Sequence, residues 1–201
     1  RYSQDKRHYD LYKLLDKLNK PNKLSGNKNI LTEQQARVVE LALEDFDLSG
    51  VSLPDDKKFK YQELTQKLAL LGNQFEQNIT ESTDAWSLYI EDKSELEGIS
   101  AGVLSAAAQK TGWKFDLHFP TYWAVMTQAK SSSLREKFYK AWVTRASDKG
   151  DFASKWDNSD LLVNILSSRY SKAKLLGFDD FSQYALKQRM CKTSKEATDF
   201  L

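Results

Sequence analysis

A long apolar stripe between positions 61 and 79 constrains the fold of this chain more than any other feature. Its members recur every three or four residues, as Tyr61, Leu64, Leu68, Leu71, Phe75 and Ile79. That spacing places them on one face of an α-helix, in a pattern like the seam of a coiled coil. Pro54 suits the first position of such a helix, because no backbone N–H is needed there. The sequence therefore predicts a long helix whose apolar face needs a partner.

Two arrangements would cover this stripe. An antiparallel helix of the same chain could pack on it, or a second copy could form a coiled-coil dimer. We favour the arrangement within one chain, because several other helical segments can supply the neighbour.

Helix start and stop signals define those other segments. Capping boxes pair a Ser or Thr with a Glu or Gln three positions later, and they occur at Thr32–Gln35, Ser133–Glu136 and Thr193–Glu196. The first predicted helix runs to about position 20 and a surface loop spans 19–30. The later predicted elements are a helix with buried Ala36, Val39, Leu43 and Phe46 that ends at 48–50, a helix with Leu134, Phe138, Ala141 and Trp142, a polar loop at 147–160, a helix that ends at Gly177, and a short helix at 181–188.

The middle of the chain has a different pattern. Segments 86–90 (WSLYI) and 113–119 (WKFDLHF) alternate apolar and polar residues, which is typical of strands. Phe115, Leu117 and Phe119 would share one face, and a small helix would lie within 100–110. We therefore predict a mainly α fold, a multi-helix antiparallel bundle-like domain with a small two-stranded β element in the middle.

Composition excludes several classes of function. The 30 Lys and Arg residues nearly balance 28 Asp and Glu residues, for a net charge of +2, and the charges are interspersed. Nucleic-acid binding is not expected, because it usually needs a concentrated basic stripe. No membrane contact is expected either, since no segment approaches the roughly 20 apolar residues of a membrane span. A single cysteine, Cys191, and no visible signal peptide favour a cytoplasmic location.

Both ends of the chain lie within helical patterns. The chain begins at Arg1 rather than Met, and Tyr2, Tyr9 and Leu11 already have helical spacing. The predicted helix that starts near Thr193 stops at Leu201, although nucleating a helix is costly. These features favour a truncated piece of a longer protein, which would expose apolar surface or associate with itself to cover that surface.

The histidines do not predict a metal site. His8 and His118 are far apart in the sequence, and there is no H-E-x-x-H pattern and no second cysteine. A zinc site usually needs three or four ligands, several of them closely spaced. We therefore expect no metal ligand in this chain, with His8 on a helix surface and His118 on the polar face of a strand.

Other catalytic patterns are also missing. Nothing near Cys191 supports a nucleophile paired with His118, and a small packed hydrophobic role is more common for a lone cysteine. The sequence contains no G-x-S-x-G elbow and no glycine-rich phosphate loop. The run 157–160 (DNSD) lacks the glycine and distal glutamate of a calcium loop, so we interpret Asn158 or Ser159 as a helix N-cap. We predict no catalytic residue in this chain.

Five segments in register nevertheless resemble one family. They are LTEQQARVVELALEDFDLSGVSLP (31–54), LGNQF (71–75), FPTYWAVM (119–126), LREKFYKAWVTRASD (134–148) and KWDNSDLLVNILSSRYSKAKLLGFDDF (155–181). Together they resemble the thimet oligopeptidase family of zinc metallopeptidases, in particular its bacterial oligopeptidase A branch. The resemblance covers about 30–201. Ala124 stands where the family commonly has a second proline, which affects local backbone detail there.

The resemblance implies that the catalytic groups lie outside this chain. Members of this family have two largely helical halves that face each other across a channel, and the zinc ligands and catalytic groups lie in the C-terminal part. The chain would then be a single fragment of the N-terminal half, 1–201, with long helical hairpins in 1–84, a β-containing segment in 85–130 and a helical segment in 131–201. It would form a wall of a channel for short peptides and be inactive alone, because zinc belongs to the parent enzyme. Which residues bind substrate is unknown at this level. The alternative is a free-standing helical interaction module that uses the 61–79 stripe.

Overall fold

The computed structural model describes residues 5–19 and 30–201, and within them the chain is mainly helical, as predicted. The predicted loop at 19–30 and the start of the first predicted helix fall largely outside the described residues. The helices are α1 Lys6–Asn19, α2 Glu33–Leu48, α3 Asp55–Ala85, α4 Ala101–Ala107, α5 Phe119–Gln128, α6 Ser132–Val143, α7 Ser159–Leu175, α8 Phe181–Leu186 and α9 Ser194–Phe200. The strands are β1 Ser87–Ile90 and β2 Trp113–Asp116, and a short 3-10 helix spans Lys93–Leu96.

The chain forms two compact units. Unit 1 contains residues 1–68 and 166–201, and unit 2 contains residues 69–165. Helices α3 and α7 contribute residues to both units. All five tryptophans of the sequence lie in unit 2, at positions 86, 113, 123, 142 and 156. Tryptophan fluorescence therefore reports on unit 2 alone.

Unit 1 is organised around the α1–α2 pair. The capping box at Thr32 is confirmed, with the Thr32 hydroxyl accepting from the backbone N–H of Gln35 and the Gln35 side chain accepting from that of Thr32. Phe46 is 2% exposed and contacts Tyr9, whose hydroxyl donates to Asp47 at 3.0 Å. The bond to Asp47 satisfies the Tyr9 hydroxyl, so the tyrosine can be buried against Phe46 without leaving a polar group unpaired.

The α2–α3 turn depends on Gly50. Its φ of +77° lies in the left-handed region, and a Cβ placed there would come within 3.1 Å of the Tyr61 ring. Gly177 ends α7 with a similar φ of +86° but faces open space. Both helix ends were predicted from these glycines, and both are confirmed.

This difference predicts unequal effects of two alanine substitutions in unit 1. Gly177→Ala should lower the free energy of unfolding by about 1 kcal/mol, the cost of a left-handed alanine. Gly50→Ala should cost about 2 kcal/mol or more, because the ring of Tyr61 also has to move. Urea denaturation followed by circular dichroism at 222 nm measures both. Equal losses in the two variants would contradict the role of the Tyr61 contact.

Tyr61 gives unit 1 a pH dependence. The side chain is 4% exposed and its hydroxyl donates to the carbonyl oxygen of Leu48 at 2.9 Å. Burial, followed by the neighbouring Tyr184, raises the pKa of Tyr61 above its ordinary value. The unfolded chain therefore loses this proton first, and the contribution of Tyr61 to stability falls as the pH rises above about 10. Burial lowers the pKa of Lys172, so the folded chain loses this proton before the unfolded chain does. The contribution of Lys172 to stability therefore rises with pH up to about 10.5, opposite to the effect of Tyr61.

Tyr61→Phe isolates this contribution, because the Lys172 effect is common to both proteins. At pH 7 the variant should be less stable by about 1 kcal/mol, the value of the lost hydrogen bond. At about pH 11 the gap should narrow, since only the wild-type protein has a buried phenol at position 61, which ionises on unfolding. Urea denaturation by circular dichroism at both pH values tests this. A gap that stays constant would show that the phenol of Tyr61 is not the titrating group.

Two contacts link α3 to α7 or to the residue before it. In unit 1, the Lys172 ammonium of α7 lies 4.7 Å from the centre of the Tyr61 ring. In unit 2, Asn158, the residue before α7, donates to the backbone carbonyl oxygen of Phe75 at 3.1 Å. Neither contact packs a helix along the whole apolar stripe, so its covering by an antiparallel helix of the same chain stays a prediction. The remaining members of the stripe are half-buried.

Unit 2 contains the β-hairpin and the larger core. β1 and β2 form the predicted two-stranded element, and the structure shows them antiparallel, from Ser87 opposite Asp116 to Ile90 opposite Trp113. The ring of Phe138 on α6 packs edge-on against the rings of Trp86 and Phe115, with distances between ring centres of 5.1 Å and 6.1 Å. The hairpin is thus supported by helices, which a two-stranded unit needs for stability.

The structure corrects the prediction for the end of β2. Phe115 and Leu117 are each 1% exposed and share the core face as predicted, but Phe119 is 58% exposed and begins α5. His118 is the N-cap residue of α5 and not a strand residue. The alternating pattern continued past the strand by chance. Pro120, in the first turn of α5, was the signal for a helix start.

Two cap assignments were also displaced. Ser131, not Ser133, caps α6, and its hydroxyl accepts from the backbone N–H of Leu134 at 3.2 Å. Glu136 pairs with Lys140 one turn later. Pro54 precedes α3, which begins at Asp55, and its carbonyl accepts from Lys58 at 2.8 Å. Of the two serines only Ser133 has a glutamate three positions later, yet the backbone geometry places the helix start at Ser131.

Apolar side chains remain exposed on several described helices, with four large ones each on α1 and α7. On α1, Leu11, Leu14 and Leu18 are each more than half exposed, and on α7 Val163 and Leu166 are 67% and 62% exposed. Among the described helices, none has both the length and the apolar character that crossing a bilayer requires.

Candidate functional site

A cavity of about 450 Å³ in unit 2 is the strongest candidate for a binding site. It lies between α6, the junction of α3 with β1, and the loop that follows α6. Its floor includes Trp86, Leu117 and Ala146, which are 8%, 1% and 8% exposed. Leu88 and Phe152 add apolar surface to its walls. A concave apolar site of this size with a few polar groups is typical of small-ligand binding.

Arg145 is the central polar group of this cavity. Its Nε donates to the carbonyl oxygen of Trp142 at 3.0 Å, and one terminal nitrogen donates to the Thr83 hydroxyl at 3.2 Å. The guanidinium carbon lies 3.4 Å from the centre of the Trp142 ring. Burial lowers the pKa of Arg145 from its ordinary value, but an arginine stays charged at neutral pH. The stacking on Trp142 and the two hydrogen bonds fix the plane of the guanidinium.

Arg145 has no carboxylate partner within the part of the chain that the structure describes. Its hydrogen bonds to described residues go to neutral oxygens and use two of the five N–H groups of a guanidinium. A partly buried cation paired only with neutral groups still lacks the interaction that best offsets its desolvation.

Two lysines also line the same cavity. Lys137 is 3.7 Å from Glu95, and Lys140 is 2.6 Å from Glu136. Asp151 is the carboxylate that lines the cavity itself. The lining therefore carries three cations and one carboxylate, although the two lysines also have partners outside it.

The loop after α6 is held in an unusual backbone conformation. Ala146 has a φ of +47°, which is rare for a residue other than glycine. The carbonyl oxygen of Ala146 accepts from the backbone N–H of Asn158 at 3.0 Å. Further along, the Trp156 indole donates to Glu81 of α3 at 2.7 Å and contacts Phe152. These contacts fix the wall of the cavity against α3.

An amide network anchors the far end of this loop. The side chain of Asn158 is 3% exposed, accepts from the Asn78 amide at 2.8 Å and donates to Phe75. As predicted, Asn158 occupies the N-cap position of α7, where its carbonyl accepts from Leu162. Asp157, not Asn158, supplies the side-chain oxygen that accepts from the Ser159 N–H. The run 157–160 thus forms a helix start.

Three side chains were considered from the sequence as metal ligands or nucleophiles, and each is described within its own unit. His118 lies in unit 2, half-exposed, with its Nε2 3.6 Å from Asp84. His8 is on α1 in unit 1, with its Nδ1 3.3 Å from Asp5. Cys191 is half-buried near α9, where its Sγ lies 3.4 Å from the carbonyl oxygen of Thr193. Thr193 caps α9 as predicted.

The described residues do not fit a zinc site. No group of three or more His, Cys, Asp or Glu side chains is arranged to hold a metal ion within residues 5–19 and 30–201. No catalytic step through a metal can be derived from these side chains. Sequence reasoning used Arg145 only as part of the family-like segment 134–148. The missed signal was its spacing of three from Trp142, which places a cation and an aromatic ring side by side on a helical turn.

Comparisons with known proteins identify the class. Residues 125–201 match the model of Peptidase family M3. The chain is 38% identical over 177 residues to oligopeptidase A of Salmonella typhimurium, which covers 85% of this chain and 26% of the relative. Oligopeptidase A of Escherichia coli gives the same identity and coverage. The probable cytosolic oligopeptidase A of Arabidopsis thaliana is 32% identical and covers 97% of this chain and 28% of the relative.

The chain belongs to peptidase family M3, with its greatest similarity among these relatives to the bacterial oligopeptidases A. The predicted resemblance to the thimet oligopeptidase family is therefore confirmed. The chain spans about a quarter of the length of the relatives it matches, 26% for both bacterial proteins.

Proposed function

We propose that this chain is part of a zinc metallo-oligopeptidase that hydrolyses short peptides. The observation that carries the proposal is the 38% identity to oligopeptidase A over 85% of the chain. The zinc and the catalytic groups would lie in the rest of the polypeptide, because the described residues of this chain do not fit a metal site.

In that enzyme the chain would form part of the wall of the substrate channel and would be inactive alone. A narrow channel selects short or extended peptides by access, and such selection needs no catalytic side chain. The cavity beside Arg145 supports this role, since it offers a polar group within an apolar recess.

We propose a cytoplasmic location. One relative is named as cytosolic and another as chloroplastic or mitochondrial, so fractionation of cells that express the complete protein is the test.

The first experiment uses the complete reading frame that contains this sequence. We expect it to encode an H-E-x-x-H motif beyond position 201. Its product should cleave a quenched fluorescent peptide, lose activity with a chelator and regain it with zinc. The matched control changes the glutamate of that motif to glutamine. A complete protein without the motif, or with activity indifferent to chelation and to the control, would refute the proposal and favour a helical interaction module.

The second experiment uses the 201-residue chain. With added zinc it should show no turnover above that of a buffer blank. Activity that persists after repeated purification and inhibitors of contaminating proteases would refute the proposed inactivity.

We also propose that the rest of the polypeptide covers the exposed apolar residues of α1 and α7. Alone, the chain should then associate with itself as its concentration rises, because these side chains prefer to leave water. Sedimentation of the wild-type chain and of Val163→Glu with Leu166→Glu tests this. The double variant should remain monomeric at concentrations where the wild type associates. A wild-type chain that is monomeric throughout would overturn the proposal.

A further inference from the structure

We infer that the unit 2 cavity beside Arg145 binds a peptide carboxylate, with the guanidinium as its anchor and an apolar side chain against Trp86 and Phe152. The choice of a peptide as ligand rests on the proposed function. The carboxylate part of the inference rests on the cavity itself.

The cation defines the chemistry of the ligand. Arg145 lines a recess whose floor is buried, stacks on Trp142 and pairs with no carboxylate among the described residues. A planar carboxylate matches the parallel N–H groups of a guanidinium, and such charge-assisted bonds are among the stronger ones in proteins. Lys137 and Lys140 also line the cavity but pair with Glu95 and Glu136, so Arg145 is the lining cation that has no carboxylate partner among the described residues. Asp151 is the one carboxylate among the residues that line the cavity.

The walls define the remainder of the ligand. Trp86, Leu88, Leu117 and Phe152 are apolar, so the group next to the carboxylate should also be apolar. A C-terminal residue with an aliphatic side chain has both parts. An inorganic anion would satisfy Arg145 but leave the apolar walls unused.

The guanidinium and the loop wall of the recess are preorganised for a ligand. The guanidinium is held by the carbonyl oxygen of Trp142 and the hydroxyl of Thr83. The loop that forms one wall is held by the backbone hydrogen bond from the Asn158 N–H to the Ala146 carbonyl oxygen. A group that is already oriented loses less entropy when a ligand binds.

The test is direct binding to the 201-residue chain, without hydrolysis. The probes are N-acetyl-Ala-Leu with a free carboxylate and the same dipeptide as its C-terminal amide. Calorimetry gives the affinity, and tryptophan fluorescence reports on Trp86, which lines the cavity, and on Trp142, which stacks on Arg145. The free acid should bind about tenfold or more tightly than the amide, since the amide removes the charged acceptor. Equal binding of both probes, or binding of neither, overturns the inference.

Three variants locate the binding. Arg145→Gln should weaken binding of the acid about tenfold or more and leave the amide unchanged. Ala141→Leu narrows the recess without removing a charge and should weaken both probes. Lys110→Gln removes an exposed cation that does not line the cavity and should change neither. A loss with Lys110→Gln equal to that with Arg145→Gln would indicate general attraction by net charge and refute the site.

Arg145 also stabilises the loop, so its replacement could disturb the fold. Arg145→Lys keeps the charge but loses the planar fork, and it should bind the acid with intermediate affinity. The circular dichroism spectrum and thermal midpoint of each variant are measured first. If Arg145→Gln unfolds, Ala141→Leu and the acid-to-amide ratio decide the question. Failure of these tests leaves the zinc-dependent hydrolysis by the complete protein unaffected, so the two proposals can fail independently.

Discussion

Phe138→Ala is expected to lower the free energy of unfolding of unit 2 by about 3–5 kcal/mol. The side chain is fully buried, and its ring packs edge-on against Trp86 and Phe115. Removing it leaves a cavity where the hairpin meets α6. The surrounding rings are held by the β1–β2 register, so they cannot fill the space by a small shift. The loss therefore includes both the transfer of the ring and the cost of the cavity.

Tyr139→Ala is the matched control. Tyr139 follows Phe138 on the same helix, has a similar ring and is 52% exposed. Its replacement should change stability by no more than about 1 kcal/mol. Urea denaturation followed by tryptophan fluorescence measures both, because every tryptophan lies in unit 2. Similar losses in the two variants would mean that the packing of α6 on the hairpin is not the source of stability.

Asn158→Ala is expected to cost about 2–4 kcal/mol, the second largest effect. The side chain accepts from Asn78 and donates to Phe75, and both asparagines are buried. Alanine would leave the Asn78 amide without this acceptor, and an unsatisfied buried polar group costs about 1–3 kcal/mol. The lost packing of a buried side chain adds to that. Because Asn158 also orders the loop wall, the same variant should weaken binding of the carboxylate probe.

Asn73→Ala is the control for this substitution. Asn73 is exposed on the same helix as Asn78, and alanine there should be neutral or slightly stabilising because it is the better helix former. The double variant of Asn78 and Asn158 measures their coupling. If the two residues act as one network, the double variant should lose less than the sum of the single losses. Additive losses would show that the 2.8 Å contact contributes little.

Local sequence patterns were sufficient for most helices. The capping box at Thr32 and the glycine at 177 are short-range signals, and both act as predicted. The alternation of apolar and polar residues located β1 and β2, although the second predicted segment continued past the end of β2 at Asp116. The family followed from five segments in register, because their order and spacing are a property of the sequence.

The same local rules failed where a short pattern favoured the wrong residue or fitted two structures. Ser133 has the capping-box glutamate that Ser131 lacks, yet Ser131 caps α6, and the alternation at 115–119 fits a strand as well as a strand followed by a helix. In both cases packing decides, since Phe138 and Leu134 have to face the core and Phe119 has no place in it. Differences in helix propensity amount to a few tenths of a kcal/mol, and the free energy of burying an apolar side chain is several times larger and therefore decides.

The sequence by itself determined the class of fold, the family and the lack of any metal-binding motif in this chain. Only the tertiary structure revealed the cavity beside Arg145 and the network of Asn78 with Asn158. The reason is distance along the chain. Arg145 meets Thr83 across 62 positions and Asn78 meets Asn158 across 80, and no local pattern encodes such a contact. Periodicity fixes which face of a helix is apolar, but the packing of several helices at once decides which polar groups converge.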